Sequence, residues 1–248
     1  MKVYEYITGR IRNGSKLHMT LIDPDKQAPE IAGEIAGLCE DMGTDAIMIG
    51  GSTGVNQENM DATAKAIKAR TRNIPLIIFP TKPDALTRYA DAIYFMSMIN
   101  SRNLNFVMGY QIKGAPIVKK LGLEPIPMGY IIIEPGMKVA EVGDAKIIPR
   151  DAIEDACAHA LAAEYLGMKL VYLEAGSGAP VHISPQMVSA VKACINIPLI
   201  AGGGIRTPEA ASELAKAGAD IIVTGTIVEQ TRELESVMKK IINAVKRR

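Results

Sequence analysis

The chain has 248 residues, the usual size of one (β/α)8 barrel, so we expect a single domain over residues 1–248. Lys and Arg total 28 against 27 Asp and Glu, and this formal charge of +1 argues against a nucleic-acid partner. Three cysteines without a C-x-x-C pair argue against a disulfide framework, and no signal-peptide pattern or membrane-length apolar run is present, so we expect a soluble cytoplasmic protein with buried thiols.

Short apolar runs alternate with helical patterns along the chain, after a helical segment that ends near Arg12. The predicted strands are 16–23, 45–51, 74–79, 92–98, 128–134, 170–174, 197–202 and 219–225. The predicted helices are 29–42, 57–70, 105–121, 150–166, 184–193, 208–217 and 229–245. This alternation predicts an α/β fold, a TIM-type (β/α)8 barrel. Residues 80–91 barely hold a crossover helix, so the third helix is expected to be missing or very short, which leaves a lateral opening in the wall.

One apolar strand, 170–174, ends in a carboxylate and opens into a loop of small residues. Because side chains alternate along a strand, Tyr172 and Glu174 share a face while Leu173 points the other way. Glycines in the loop allow backbone N–H groups to approach a ligand. We therefore predict substrate contacts from Tyr172, Leu173, Glu174, Ala175, Gly176, Ser177 and Gly178. The alternative is that Glu174 caps the next helix.

The last two strands both end in glycine and are followed by a plausible helix start. Glycine turns and helix N-termini offer N–H donors to a phosphate, and barrels commonly bind phosphate after strands seven and eight. We predict a phosphate site at Gly203, Gly204, Gly225 and Thr226; tight helix-on-strand packing is the alternative. Segments 43–52 and 218–226 also share one pattern, which fits two anion sites or, as we favour, the ordinary layout of a βα unit.

The carboxyl ends of parallel strands meet on one face of a barrel, which would gather Asp23, Ser52, Tyr172 and Glu174 around one mouth. A carboxylate, a hydroxyl and phosphate oxygens are the hard ligands that Mg²⁺ prefers. We therefore predict that Asp23 and Ser52 bind Mg²⁺ beside a diphosphate. The alternative for Asp23 is capping of the first barrel helix, before Pro24.

The chain resembles the geranylgeranylglyceryl phosphate synthases, the archaeal ether-lipid prenyltransferases, over nearly its whole length. The motifs that carry the resemblance are 21–26 (LIDPDK), 48–53 (MIGGST), 100–103 (NSRN), 129–136 (GYIIIEPG), 172–178 (YLEAGSG) and 202–206 (GGGIR). The stretches 130–136 and 172–178 are the most specific. Bacterial relatives that use longer prenyl donors have Lys where this chain has Leu21, which is a departure close to the expected diphosphate.

This resemblance implies a Mg²⁺-dependent transfer of the geranylgeranyl group from its diphosphate to sn-glycerol 1-phosphate, the first committed ether step of archaeal membrane lipid synthesis. It also implies a barrel without its third helix. We expect a homo-oligomer, with at most peripheral membrane contact.

The chemistry of allylic transfer requires a base close to the attacking alcohol, and Glu174 is our candidate. Tyr172 would hold the glycerol phosphate. Tyr94, Met96, Phe106 and Met108, near the thin wall, are candidates for an apolar groove, with core packing as the alternative.

Two other functions fit parts of the pattern. A sugar-phosphate isomerase or epimerase would use the same glycine loops but needs no Mg²⁺-diphosphate pair and no lipid groove. A non-catalytic phosphoglycerol or prenyl-lipid binding protein would bind the same ligands without turnover. Asp23, Ser52 and Glu174 at strand ends are what favour the transferase.

Overall fold

The computed structural model describes residues 1–225 and 234–246, in which eight parallel strands form a closed barrel in sequence order. The elements are α1 (Val3–Arg12), β1 (Leu17–Ile22), α2 (Pro29–Asp41), β2 (Ala46–Ile49), α3 (Gln57–Arg70), β3 (Leu76–Ile78), β4 (Ala92–Met98), a π-helical turn (Asn105–Gly109), α4 (Tyr110–Leu121), β5 (Glu124–Ile132), α5 (Met137–Val142), α6 (Ile153–Tyr165), β6 (Leu170–Glu174), α7 (Pro185–Cys194), β7 (Leu199–Gly202), α8 (Pro208–Lys216), β8 (Ile221–Thr224) and α9 (Leu234–Lys246). The predicted (β/α)8 barrel is confirmed.

Alternation along each strand divides the core into two shells. Met19, Tyr94 and Tyr172 pack inside the barrel, whereas Ile47 and Leu173 pack in the layer between barrel and helices. The interior of the barrel is therefore filled with side chains, so a cavity within the ring of strands can lie only above this packed interior, at the carboxyl ends of the strands.

Three aspartates immediately before strands close the opposite end of the barrel. Each accepts the backbone N–H of the adjacent strand and a lysine: Asp45 from His18 (2.9 Å) and Lys246 (3.1 Å), Asp91 from Leu76 (2.8 Å) and Lys68 (2.9 Å), and Asp220 from Leu199 (2.9 Å) and Lys192 (2.7 Å). Asp45 and Asp220 occupy matching places in the two similar segments, which agrees with the favoured interpretation of that similarity as the ordinary layout of a βα unit.

In the described segment 79–91 no helix lies between β3 and β4, as predicted, and only two residue pairs join these strands. The sequence prediction was wrong elsewhere. β5 begins at Glu124, not at Met128 as predicted. Pro125 and Pro127 lack an N–H donor, but their nitrogens point toward β6, which begins to pair only at Met128, so the strand loses no hydrogen bond there. The short helix α5 was missed, and Cys194 is exposed although a buried thiol was expected.

Candidate active site

Glu174 ends β6 and its carboxylate is held by hydrogen bonds on both oxygens. The Gly176 N–H donates to Oε1 at 2.7 Å, and the Tyr130 hydroxyl donates to Oε2 at 3.1 Å. Tyr172, on the same face of β6, also hydrogen-bonds this carboxylate. The side chain does not cap α7, whose N-cap is Ser184, so the capping alternative is wrong. Glu174 is 5% exposed, which places an oriented carboxyl group at the edge of the packed interior.

Burial and hydrogen bonding act in opposite directions on this carboxyl group. Burial raises the pKa of Glu174 above its ordinary value, and this effect outweighs the hydrogen bonds from Gly176, Tyr130 and Tyr172, which lower it. Burial also raises the pKa values of both tyrosines well above the ordinary range. Both phenols therefore stay protonated and act as donors, and the carboxylate is more basic than an exposed one.

An aromatic cluster fixes the two phenols beneath the carboxylate. The ring of Phe79 stacks on Tyr172 at 5.6 Å between centroids and meets Tyr130 edge-on at 5.4 Å. Tyr130 and Tyr172 also pack edge-on at 5.2 Å, and the register of β5 and β6 pairs them directly. Both tyrosines are thus held with their hydroxyls toward Glu174.

A second group of predicted residues bounds what we call the glycine cavity, an open space of about 400 Å³ lined by Tyr172, Ser177, Gly203, Gly204, Arg206 and Gly225 among others. Gly203 and Gly204 have φ of +84° and +72°, a backbone that favours glycine. Arg206 donates to the Gly178 carbonyl at 2.8 Å and so joins the loops after β6 and β7. The cavity has the backbone N–H groups and the cation that suit a phosphate.

The packing alternative explains part of the glycine pattern. A Cβ on Gly203 would lie 2.5 Å from Glu174 Oε1, and one on Gly204 would lie 2.5 Å from the Val181 carbonyl oxygen. Gly203 and Gly204 therefore allow neighbouring loops to pack closely, whereas the packing alternative expected a helix on a strand. They also bound the cavity. Gly225 has more room, since a Cβ there would lie 3.4 Å from the Leu21 side chain.

Four predicted contacts need correction or fall outside the described residues. Leu173 and Ala175 pack their side chains in the layer between barrel and helices, because strand alternation turns them away from the cavities. The Gly176 N–H is used by Glu174, so it is not available to a phosphate in this arrangement. Thr226 lies outside the described residues.

Asp23 and Ser52 lie on the other side of the mouth. They bound what we call the mouth cavity, about 710 Å³, together with Phe79, Met98, Val139 and Glu174 among others. Asp23 does not cap α2, whose N-cap is Ala28, so that alternative is wrong. Its carboxylate lies against Gly51, where any Cβ would be 2.2 Å from Oδ1, and Oδ1 accepts the Asp25 N–H at 3.0 Å.

The oxygen atoms of Asp23 and Ser52 suit a hard cation that takes most of its ligands from water and phosphate. In residues 1–225 and 234–246, no group of three or more His, Cys, Asp or Glu side chains could hold a metal ion. A single carboxylate with a neighbouring hydroxyl suits Mg²⁺ only when waters and phosphate oxygens supply the remaining ligands. Asp23 and Ser52 therefore fit a Mg²⁺ that arrives with a diphosphate.

The missing helix leaves a lateral groove of about 410 Å³, lined by Thr81, Pro83, Met96, Phe106, Tyr110 and Val118 among others. Met96 and Phe106 line both this groove and the mouth cavity, as two of the four predicted groove residues. Tyr94 also borders the groove but is fully buried, with its hydroxyl on Met19. Met108 is exposed and lines neither space, because it lies on the outer side of the π-helical turn.

The mouth cavity and the glycine cavity meet at Glu174. Leu21, Glu174, Ser177 and Gly225 line both. Tyr130 and Arg206 belong to this arrangement although no role was assigned to them from the sequence. Tyr130 lies in the motif 129–136 and Arg206 in the motif 202–206, so these motifs were the sequence signal that could have identified them. Fold and site together define a (β/α)8 barrel with a buried carboxyl group between two cavities, one of which has the groups that suit a phosphate.

Comparison with known proteins narrows this class. The PcrB family matches residues 10–245. Geranylgeranylglyceryl phosphate synthase from Pyrococcus abyssi is 55% identical over 240 residues, covering 97% of this chain and 95% of that protein. The chain therefore belongs to the PcrB family, among the geranylgeranylglyceryl phosphate synthases, and the resemblance seen in its motifs is confirmed.

Solved structures of relatives agree with the fold throughout. The crystal structure of the (S)-3-O-geranylgeranylglyceryl phosphate synthase from Thermoplasma acidophilum, in complex with its substrate sn-glycerol-1-phosphate, has a TM-score of 0.96 and 47% identity over 99% of both chains. The wild-type enzyme from Thermoplasma volcanium has a TM-score of 0.95 and 46% identity, covering 99% of this chain and 98% of that one.

Proposed function

We propose that this chain forms the ether bond between sn-glycerol 1-phosphate and geranylgeranyl diphosphate and releases diphosphate. One observation carries the proposal beyond family membership: Glu174 lies where the glycine cavity and the mouth cavity meet. An acceptor phosphate in the first and a prenyl diphosphate in the second would bring alcohol, allylic carbon and base together.

On the acceptor side, the phosphate is held in the glycine cavity. Backbone N–H groups around Gly203 and Gly204 and the guanidinium of Arg206 supply the donors and the positive charge. Tyr172 lines the same cavity below Glu174 and orients the glycerol hydroxyl. Holding the phosphate fixes the distance between the hydroxyl and the carboxylate, which is the main contribution of this half of the site.

In the reaction step, the hydroxyl oxygen of the acceptor forms a bond to the allylic C1 while the bond from C1 to diphosphate breaks, its electron pair leaving with diphosphate. The hydroxyl proton passes to the Glu174 carboxylate. The raised pKa of Glu174 makes it a stronger base than an exposed carboxylate, and Tyr130 and Gly176 hold it in position.

On the donor side, we assign Asp23 and Ser52 to Mg²⁺ binding. Bound there, Mg²⁺ would neutralise the charge that develops on the departing diphosphate. The prenyl chain would extend from the mouth cavity past Met96 and Phe106 into the lateral groove, which keeps the allylic carbon away from bulk water. Assembly as a homo-oligomer also remains a prediction.

The deciding experiment supplies labelled sn-glycerol 1-phosphate and geranylgeranyl diphosphate with and without Mg²⁺, followed by organic extraction. Mg²⁺-dependent label in the organic phase supports the transferase. Conversion of sugar phosphates without lipid product would indicate an isomerase or epimerase, and tight binding of both ligands without product would indicate a binding protein.

A further inference from the structure

An apolar stripe runs along the outer face of the segment that carries the π-helical turn and α4. Leu104, Met108 and Ile112 are 79%, 61% and 66% exposed and follow one another at intervals of four residues. The π-helical turn between Asn105 and Gly109 has more than four residues per turn, so residues four apart lie almost one above the other. We call Leu104, Met108 and Ile112 the outer stripe.

The inner face of the same segment lines the lateral groove. Phe106, Tyr110, Gly114 and Val118 repeat at the same interval and border the groove. A single helix thus separates the groove from the outer stripe. Whatever covers the stripe lies one helix diameter from the groove.

The charge of this segment differs from that of the chain. Residues 101–123 contain Lys113, Lys119 and Lys120 and no acidic residue, whereas the whole chain has a formal charge of only +1. The segment also contains Arg102, whose charge is paired with Asp144 at 2.9 Å. Lys119 follows Ile112 by two helical turns, so it extends the line of the outer stripe. The ammonium of Lys113 lies 5.9 Å from the centre of the Tyr110 ring, beside the stripe.

We propose that the outer stripe and its lysines dock this protein on the surface of a bilayer that contains anionic lipid. Large apolar side chains on one line with Lys and Arg beside them are typical of helices that lie in a membrane interface. Lysine is depleted in the cores of protein–protein interfaces, so the same set of side chains suits a second copy of the chain less well. Within the described residues no helix is long and apolar enough to cross a bilayer, and the docking is peripheral.

Docking in this orientation would bring the lateral groove to the bilayer surface. The use of that groove by a prenyl chain rests on the proposed function, whereas binding to lipid depends only on the stripe and the lysines. The two ideas can therefore fail separately.

The test is co-sedimentation with vesicles of phosphatidylcholine alone and of phosphatidylcholine mixed with phosphatidylglycerol, without substrate. The test variants are the triple change Leu104→Ser, Met108→Ser, Ile112→Ser and the triple change of Lys113, Lys119 and Lys120 to Gln. The control is the double change Tyr165→Ser, Leu166→Ser at the end of α6, where two exposed side chains of similar size are removed from another surface.

We expect the wild type and the control to bind the mixed vesicles better than phosphatidylcholine alone, and both triple variants to bind them at least about tenfold more weakly. Circular dichroism and thermal unfolding check that the variants are folded. The proposal is overturned if the wild type does not bind mixed vesicles or if the control loses binding as much as the variants do. It is also overturned if the stripe variant changes the mass measured by light scattering in the absence of lipid, since a second copy would then cover the stripe.

Discussion

The Tyr130 hydroxyl donates a hydrogen bond of 3.1 Å to one oxygen of Glu174, and the register of β5 and β6 puts these side chains on neighbouring strands inside the barrel. The other oxygen is held by Gly176. Both contacts favour the ionised form of a carboxyl group that burial disfavours. The balance between them determines the pH at which Glu174 can act as a base.

Tyr130→Phe should move the acidic limb of the rate profile to higher pH. The variant removes a hydrogen bond that lowers the pKa of Glu174, so this pKa rises further and more alkaline solution is needed to ionise the base. At high pH the maximal rate should return to near the wild-type value. Measurement of kcat against pH for both proteins checks this, and an unchanged acidic limb would contradict it.

Glu174→Gln should lower kcat by roughly 10²- to 10⁴-fold with little change in either KM, because the amide keeps the shape but cannot accept the proton. Part of this loss is electrostatic, since the carboxylate also stabilises positive charge at the allylic carbon. Glu174→Asp, a base withdrawn by one methylene, should be intermediate. A variant whose only defect is weaker glycerol phosphate binding would make Glu174 a substrate clamp.

The same Glu174→Gln variant should be at least as stable as the wild type at neutral pH. The folded-state pKa of Glu174 is raised, so folding disfavours its ionised form, and this cost is present above the folded-state pKa and absent below the ordinary pKa of 4.5. The advantage of Gln should therefore shrink as the pH falls toward 4.5. Urea unfolding of both proteins at neutral and acidic pH tests the sign.

Asp23→Asn should lower turnover by orders of magnitude, leave the melting temperature almost unchanged and raise the Mg²⁺ concentration needed for half-maximal rate. Its side chain does not cap α2, and the amide oxygen of Asn can still accept the Asp25 N–H, so the substitution should leave the fold intact. Asp25→Asn, two residues further along, is the matched control and should keep the wild-type Mg²⁺ dependence. Equal shifts in both variants would remove Asp23 from the metal site.

Arg206→Met should raise KM for glycerol phosphate by roughly tenfold and leave KM for the prenyl donor nearly unchanged, because Arg206 borders the glycine cavity and not the mouth cavity. Arg206→Lys should recover part of the loss. Steady-state kinetics with each substrate varied in turn gives the two KM values separately. Equal effects on both substrates would contradict the division of the site into two cavities.

His18 should make the fold sensitive to acid. Burial lowers its pKa from 6.5 to about 3, with a smaller contribution from Lys246, and its ring contacts Thr44 and Thr224. Between pH 6.5 and about pH 3, His18 is protonated in the unfolded chain but not in the folded one. The free energy of unfolding therefore falls by about 1.4 kcal/mol for each pH unit as the pH drops from 6.5 toward about 3. His18→Gln should lack this contribution in urea unfolding at pH 7 and pH 5.

The parts of the site that follow from periodicity along one segment were predictable, and those that depend on pairing between segments were not. Alternation places Tyr172 and Glu174 on one face of β6, as expected. The contact from Tyr130 depends on the register of β5 against β6, which no local pattern specifies. Likewise, the short spacing before β4 predicted the absent helix, but the prolines near the start of β5 hid half of that strand.

The absence of a helix in the described residues after β3 bears on how the enzyme measures the length of its donor. In a barrel whose outer ring is complete, a ligand above the strands is limited by the width of the mouth. On the proposed route, the lateral groove between Thr81 and Val118 would let a hydrocarbon tail leave through the side of the barrel. If the tail takes this route, its length would be selected by the side chains along the exit path, Met96 and Phe106 first, and would change with substitutions there without altering the barrel.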